Sequence, residues 1–329
     1  MKTDSIATGC GNGFIIIERA LSDEDRHLSV GIANFHAVVP DIEANKDKML
    51  RALEVFQAKK VNLAIFPELC LSGYFWEDEP RCWHYMEQAV IENNTDWVDK
   101  NLQPYLGNQL NAIIFNTLRQ GPNQKFFNTS FLLCKAHDYC NIDEIYDKIF
   151  LPPVERIFSN SGKDDRLVID AKHGRFGFTT CYDILFSQLV LEYAKIDEVD
   201  AIIQIASWRS RARRDYPGMN VGSDVYYGNL WDMVMPALAA TNQVWVIACN
   251  AVGEHGVTGA HFWGGSGLWA PSGLKLLQGS NINEELLIVH NIDLKEQRKR
   301  EQDDFNYAFD FGSVYRPIEG KRAFTRITD

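Results

Sequence analysis

Three side chains in this sequence stand where chemistry is possible: a carboxylate, an ammonium and a thiol. Glu68 follows directly on the apolar run of "AIFPELCLSGY", so a buried strand would deliver its carboxylate to the strand's end. Lys148 in "IYDKIFLPPVERIF" is flanked by Ile149, Phe150, Leu151 and two prolines. Those neighbours favour burial, and a buried ammonium requires an anionic partner. Cys181 stands in "GFTTCYDILF", where a β-branched run gives way to a helical pattern. A cysteine at such a place is ordinarily a small hydrophobe. With a carboxylate in reach to take its proton it becomes a nucleophile, and the same carboxylate can then protonate a departing amine. Attack on a carbonyl builds an oxyanion, which Lys148 and the backbone N–H of Tyr182 would hold if the strand-to-helix turn exposes that amide. The three residue types together suit acyl transfer through a thioester.

For these groups to meet, strands must end on one side of a common framework. The periodicity supplies such strands. "LSVGIANF" (28–35), "NLAIFPEL", "NAIIFNTL" (111–118), "NTSFLLC" (128–134), "LVID", "RFGFTTC", "AIIQIAS", "VWVIACN" and "ELLIVHNI" all read as strands. Asp41 opens a helix with Ile42, Met49, Leu50, Leu53 and Phe56 on one face and Val55 off it. Further helices are expected over 84–102, after Cys181 in "ILFSQLVLEYAK", and near 224–241. "GSGLWAPSGLKLLQ" reads as a strand pair about Pro271-Ser272-Gly273. Alternating elements without repeats or a low-complexity linker predict one α/β domain with helices covering sheet faces. Residues 1–27 are expected as an N-terminal extension, 28–292 as the catalytic domain, and 293–329 as a helix and tail at an oligomer contact. The glycine cluster "GCGNGF" has no strand before it, so a flexible arm is expected there rather than a nucleotide-binding loop.

The ordered trio, Glu in "FPEL", Lys in "YDKIFLPPVER" and Cys in "GFTTCYD", resembles the nitrilase, or carbon–nitrogen hydrolase, superfamily over residues 28–292. That resemblance implies an αββα sandwich, two mixed sheets flanked by helices. It implies no metal or organic cofactor, and assembly to a homodimer or higher homo-oligomer through helices on one face. It makes Cys181 the nucleophile, Glu68 the general acid and base, and Lys148 the cation that stabilises the oxyanion. Glu155 matches a second glutamate in the family's lysine motif and would hold Lys148 and Glu68 in register. Asp183, two residues after the cysteine, resembles the amidase and carbamoylase branches, and "CYDILF" is similar to pantetheinase and biotinidase. "LPPVERIFSNSG" is similar to true nitrilases.

The expected activity is hydrolysis of a small-molecule amide to a carboxylic acid plus ammonia or an amine. Nitrile hydrolysis and N-carbamoyl cleavage are the enzymatic alternatives. A catalytically silent member kept for binding or assembly is the non-enzyme alternative, and the presence of all three groups argues against it. By the same resemblance Tyr74 in "LSGYFW" and Trp208 in "ASWR" line the substrate pocket, each weighed against ordinary aromatic packing. Arg209, just past a strand end, suits a substrate carboxylate. Arg211, Arg213 and Arg214 read as surface residues, His261 as structural or exposed, and Cys70 as packing.

Composition narrows the partners further. The 329 residues carry a formal charge of −11, which gives no electrostatic footprint for nucleic acid. Seven widely spread cysteines form neither a zinc pattern nor a disulfide framework. The first residues lack the apolar core and cleavage site of a secretory signal, and no apolar run is long enough for a membrane span. The expectation is a cytoplasmic enzyme acting on a small molecule. "GGSGL" fails the Gly-x-Ser-x-Gly pattern of a serine hydrolase elbow, and no papain-type cysteine signature is present.

Overall fold

The computed structural model describes residues 6–22, 27–76, 80–107, 109–135, 138–162, 166–212, 214–216, 218, 222–314 and 322–326. In chain order its first half holds β1 (Ile6–Gly11), β2 (Phe14–Ala20), β3 (Leu28–Asn34), α1 (Ile42–Ala58) and β4 (Leu63–Ile65). Next come α2 (Pro80–Gln88), the single turn α3 (Thr95–Trp97), β5 (Ala112–Gln120), β6 (Phe126–Cys134) and β7 (Tyr146–Asp147). The second half supplies β8 (Arg166–Ala171), β9 (Gly174–Thr180), α4 (Ser187–Lys195) and β10 (Ala201–Ala206). A small pair, β11 (Arg214–Asp215) and β12 (Gly222–Ser223), precedes α5 (Tyr226–Asn242) and β13 (Trp245–Asn250). Another, β14 (Val252–Glu254) and β15 (His261–Trp263), precedes β16 (Gly267–Trp269), β17 (Lys275–Gln278) and β18 (Glu285–Ile292). The chain closes with α6 (Leu294–Asp304), α7 (Tyr307–Val314) and β19 (Arg322–Arg326).

Two mixed sheets result. One runs β1-β2-β18-β3-β4-β5-β6-β7 and the other β17-β16-β13-β10-β9-β8-β19. Strand alternation divides the core into three layers. Val30, Ile32, Leu63, Ile65 and Ile114 of the first sheet face Ile169, Phe178, Ile203 and Ile247 of the second, forming the inner layer. Ala33, Ala64 and Ile113 point outward to Met49, Leu53 and Phe56 of α1. Ile202 and Val246 point outward to Val190 and Tyr193 of α4 and Trp231 and Met235 of α5. The architecture is therefore an αββα sandwich. The contacts of α1 and α4 each close over a strand glycine: a Cβ on Gly31 would lie 2.5 Å from the Phe56 ring, and one on Gly177 2.6 Å from Tyr193. Only glycine permits that approach.

Three local expectations are corrected. The glycine cluster is not a flexible arm. Asn12 and Gly13, at φ +51° and +86°, make the two-residue turn of a hairpin, and Asn-Gly is the pair that such turns favour. β2 then runs parallel to β18, and Phe14 and Ile16 enter the outer core layer. Val55 is buried because this hairpin covers it, with a Cβ on Gly11 falling 3.8 Å from Val55 Cγ2. The expected helix over 84–102 is broken after Gln88. The side-chain amides of Asn93 and Asn94 take the carbonyls of Glu87, Gln88 and Val90 at 2.7–2.8 Å, displacing the backbone donors that would have continued α2. Toward the C-terminus α6 is tied to its own domain, which does not test the expected oligomer contact of residues 293–329. Arg298 donates to Asp200 Oδ1 (3.3 Å) and to the Gln243 carbonyl (3.2 Å). Among the described residues no helix is long and apolar enough to cross a membrane.

Candidate active site

Strand ends from both sheets converge at one edge of the sandwich. β4 leads into Phe66-Pro67-Glu68, and Leu69 then turns the chain at φ +49°, its N–H donating to Asn116 Oδ1 at 2.7 Å. β7 delivers Lys148, whose N–H donates to the Asn128 carbonyl of β6 (2.8 Å). β9 ends at Cys181, held at φ +50°, a conformation uncommon for a non-glycine residue. The short 3₁₀ turn that follows, Cys181–Leu185, is fixed by a reciprocal cap between Thr180 and Asp183. Gln204 Nε2 secures the Cys181 carbonyl at 3.1 Å.

Lys148 Nζ lies 2.8 Å from Glu68 Oε1 and 2.7 Å from Glu155 Oε2, and all three side chains are fully buried. Asn128 Nδ2 donates to Glu68 Oε1 (2.7 Å) and to Glu155 Oε1 (2.8 Å). The Tyr74 hydroxyl donates to Glu155 Oε2 at 2.9 Å. Ser207 of the second sheet completes the cradle. Its N–H donates to Glu68 Oε2 (2.7 Å) and its hydroxyl to the Glu68 carbonyl (2.8 Å), which joins the two sheets at this residue. The Cys181 thiol lies within electrostatic reach of the Glu68 carboxylate.

The electrostatics follow from burial and mutual charge. Burial first, then the Glu68 carboxylate, push the Cys181 thiol well above the usual cysteine range, with Lys148 opposing. Burial alone would lower the Lys148 ammonium, but Glu155 and Glu68 reverse that and hold it well above its ordinary value. Burial raises the Glu155 carboxyl against the pull of Lys148, and burial and Glu155 raise the Tyr74 phenol. The resting state is a protonated thiol beside a buried, hydrogen-bonded ion cluster.

Asp183 ties this cluster together from beneath. Its Oδ2 accepts the Thr180 N–H (3.0 Å) and the Tyr146 hydroxyl (2.8 Å), and its Oδ1 accepts the Phe150 N–H (2.7 Å). Tyr146 and Phe150 each lie two residues from Lys148, and Thr180 immediately precedes Cys181. Stacking of Phe150 on Phe186, with ring centroids 3.6 Å apart, reinforces the same junction.

The sequence-derived residues are thus distributed unequally. Glu68, Lys148, Glu155, Cys181 and Tyr74 come together. Trp208 shares an apolar cluster with Cys181, but its indole packs on Trp231 and donates to the Tyr227 carbonyl (2.7 Å). Tyr182 is half-buried, its ring edge-on to Phe186. Arg209 is exposed beside a bridge to Phe262, and Arg211 is exposed. Arg213 lies outside the described residues. His261 Nδ1 lies 2.9 Å from Ser210 Oγ. Cys70 is buried, donating to the Asn116 carbonyl, and burial pushes its thiol up to about 12. Asn128 and Ser207 were missed. A signal for Asn128 exists: "NTS" places three polar residues at the start of an apolar strand, and all three are buried. Among the described residues no cluster of three or more His, Cys, Asp or Glu is arranged to hold a metal ion.

Known proteins resemble this chain in sequence and in fold. The family model for carbon–nitrogen hydrolases matches residues 29–301. The chloroplastic ω-amidase of Arabidopsis thaliana is 30% identical over 283 residues, 83% of this chain and 70% of that one. A Staphylococcus lugdunensis protein described as a hydrolase in the agr operon is 27% identical over 248 residues, 74% of this chain and 92% of that one. The crystal structure of a carbon–nitrogen hydrolase from Helicobacter pylori superposes with a TM-score of 0.73 at 19% identity, covering 87% of this chain and 96% of that one.

Proposed function

The chain belongs to the carbon–nitrogen hydrolase family, and we propose that it is an amidase that cleaves a small-molecule amide through a thioester on Cys181. The observation that carries this reading is the buried Lys148 ammonium bonded to Glu68 and Glu155, with the buried Cys181 thiol in reach of the same three charges. The likeness to an ω-amidase supports the choice of amide over nitrile.

In this mechanism Glu68 takes the thiol proton as the sulfur–carbon bond forms, so a free thiolate never accumulates. That order suits a thiol held well above its ordinary range. The carbonyl oxygen becomes an oxyanion. An ammonium has three donors, and Lys148 commits two of them to carboxylates, leaving the third for this oxygen. The Tyr182 N–H, in a first turn whose amides have no intrahelical acceptor, supplies a second donor. When the intermediate collapses, the carbon–nitrogen bond breaks and Glu68 returns the proton to the departing nitrogen. Water then attacks the thioester, giving its proton to Glu68, and the carbon–sulfur bond breaks as the thiol is restored. Glu155, Tyr74 and Asn128 act through Lys148 and Glu68 as positioning residues. We propose further that Tyr74 and Trp208 line the substrate pocket and that Arg209 pairs with a distal carboxylate of the substrate. No step calls on a cofactor.

In the same reading residues 28–292 form the catalytic domain and the protein is a cytoplasmic homo-oligomer. Met233 on the outer face of α5 is 64% exposed. The test is a panel of matched primary amides, secondary amides, nitriles and N-carbamoyl compounds, followed by ammonia release and product mass. Amides should turn over fastest. Glu68→Gln protein mixed with a good amide should show no acyl adduct by intact mass spectrometry, because the nitrogen cannot be protonated to leave. Faster nitrile turnover, or an acyl adduct on the Glu68→Gln protein, would overturn the assignment.

A further inference from the structure

At the opposite end of β9 from Cys181, a cavity of about 590 Å3 opens between the β8–β9 turn, the end of α4 and one face of α6. Gly174 on its wall is seven strand residues from Cys181, roughly 20 Å at about 3.3 Å per residue. Four cations line it, and they are not equally engaged. Arg175 is committed to Asp170 (2.7 Å) and the Asp197 carbonyl (3.0 Å). Arg298 is committed to Asp200 and to the carbonyls of Glu198, Gln243 and Ala194. Lys195 has no carboxylate partner among the described residues. Its Nζ reaches only the Asn242 carbonyl, at 3.4 Å, and lies 5.8 Å from the Tyr307 ring centroid. Lys295 is exposed, one turn before Arg298 on the same face of α6, and is likewise without a carboxylate.

Burial and the neighbouring Arg298 push the Lys195 ammonium down to about 8. A half-buried cation facing a second cation is an unfavourable arrangement that a bound anion would relieve. Of the three carboxylates on the wall, Asp170 and Asp200 are held by the arginines. Only Glu198 is left to oppose Lys195 and Lys295, so the uncommitted charge is positive. The volume suits a small molecule rather than a polymer.

We infer that this cavity binds a small organic anion, a carboxylate or a phosphate, through Lys195 and Lys295, with Arg298 and Arg175 behind them. The site is separate from the catalytic cluster and does not depend on which C–N bond that cluster cleaves. The aromatic Phe309, 70% exposed at its rim, offers a face for a planar portion of the ligand.

The test uses the full-length protein with inorganic phosphate and with citrate, each against sodium chloride at matched ionic strength. One or both anions should raise Tm above the chloride control in a saturable way, and the Lys195→Met, Lys295→Met double variant should weaken the apparent Kd by at least about ten-fold. Which anion responds distinguishes phosphate from carboxylate ligands. As a second measurement on the unaltered protein, acetylation of Lys195 by a limiting reagent, followed by peptide mass spectrometry, should slow in the presence of the active anion while exposed Lys100 is unaffected. No stabilisation beyond chloride, an unchanged Kd in the variant, or equal labelling of Lys195 with and without anion would overturn the inference.

Discussion

Among the described residues two buried clusters set one cation between two carboxylates, and the proposed mechanism uses only one of them. Lys148 lies between Glu68 and Glu155, and Arg166 lies between Asp197 and Glu192. The guanidinium is a fixed fork. It donates from Nε to Asp197 Oδ2 (2.7 Å), from Nη2 to Asp197 Oδ1 (3.4 Å) and from Nη1 to Glu192. Such a fork keeps its charge and presents its donors in one plane. The Lys148 ammonium spends two donors and keeps one, Asn128 Oδ1 beside it has no partner, and a thiol stands at a turn of positive φ. The difference teaches that burying charge does not by itself make a site. Capacity left unused beside a nucleophile does, because that capacity is what a developing oxyanion can claim.

The sharpest way to break the comparison is at the element that the arginine cluster lacks. Cys181→Ala should reduce amide turnover by at least about a thousand-fold while leaving the fold intact, since a small apolar side chain fills the same place. Cys181→Ser should fail as well, a hydroxyl being far less acidic than a thiol beside the same carboxylate. Ammonia release and circular dichroism together check this, and activity above a trace would remove Cys181 from the mechanism.

Removing each cation comes next. Lys148→Met and Arg166→Met both strand two buried carboxylates, and breaking such a set costs about 3–5 kcal/mol. Their stability losses by urea denaturation should therefore be similar. Their kinetics should not be. At temperatures where both remain folded, kcat should collapse for Lys148→Met and stay near wild type for Arg166→Met. Equal kinetic losses would mean that the lysine is only structural.

A smaller effect separates the outer partners. Tyr74→Phe removes the hydroxyl that donates to Glu155 Oε2 and should lower kcat roughly 10- to 100-fold through misplacement of Lys148, with KM less affected. The corresponding partner of the arginine cluster is Gln188, which donates to Glu192 Oε1 at 3.1 Å from an exposed position. Gln188→Ala should change stability by no more than about 0.5 kcal/mol and leave kcat alone.

The two clusters also differ in how far the sequence disclosed them. Glu68 and Cys181 were legible because each follows an apolar strand, Lys148 because apolar residues and two prolines follow it, and all three because their order matches the family's trio. Glu155 was legible from the resemblance, as the second glutamate of the family's lysine motif. Asn128 and Ser207 were not, since each acts through a hydrogen bond to a residue dozens of positions away, and pairing across two sheets leaves no local pattern. Most strands, and an α/β domain with helices over sheet faces, followed from period-two alternation, whereas the αββα layering came from the family resemblance. The hairpin at the start of the described chain did not, although Asn12-Gly13 carries the strongest short-range signal for one. The strand that anchors it, β18, lies some 270 residues later, so no neighbouring segment marks it as part of a sheet.

Asp183 gives the smallest effect, and its sign is set by two opposing demands. Burial raises its carboxyl to about 6 from 3.8, while the Phe150 N–H, the Tyr146 hydroxyl and the Thr180 N–H oppose that rise. The folded state thus holds this proton more tightly than the unfolded chain. The group's contribution to stability is complete below pH 4 and is lost as pH rises through 6. Catalysis needs the other form, because only the carboxylate accepts all three bonds that align the lysine segment with the cysteine turn. Between pH 7 and pH 5 kcat should therefore fall by up to about ten-fold, while wild type gains about 1 kcal/mol of stability relative to Asp183→Asn. Urea midpoints of both proteins at the two pH values, with ammonia release alongside, check the pair of outcomes. The Asn variant should show a lower but flatter rate profile. Should wild type fail to gain on the variant at pH 5, the titrating group would have to be sought elsewhere in the cluster, with Glu155, also raised by burial, the first to replace by glutamine.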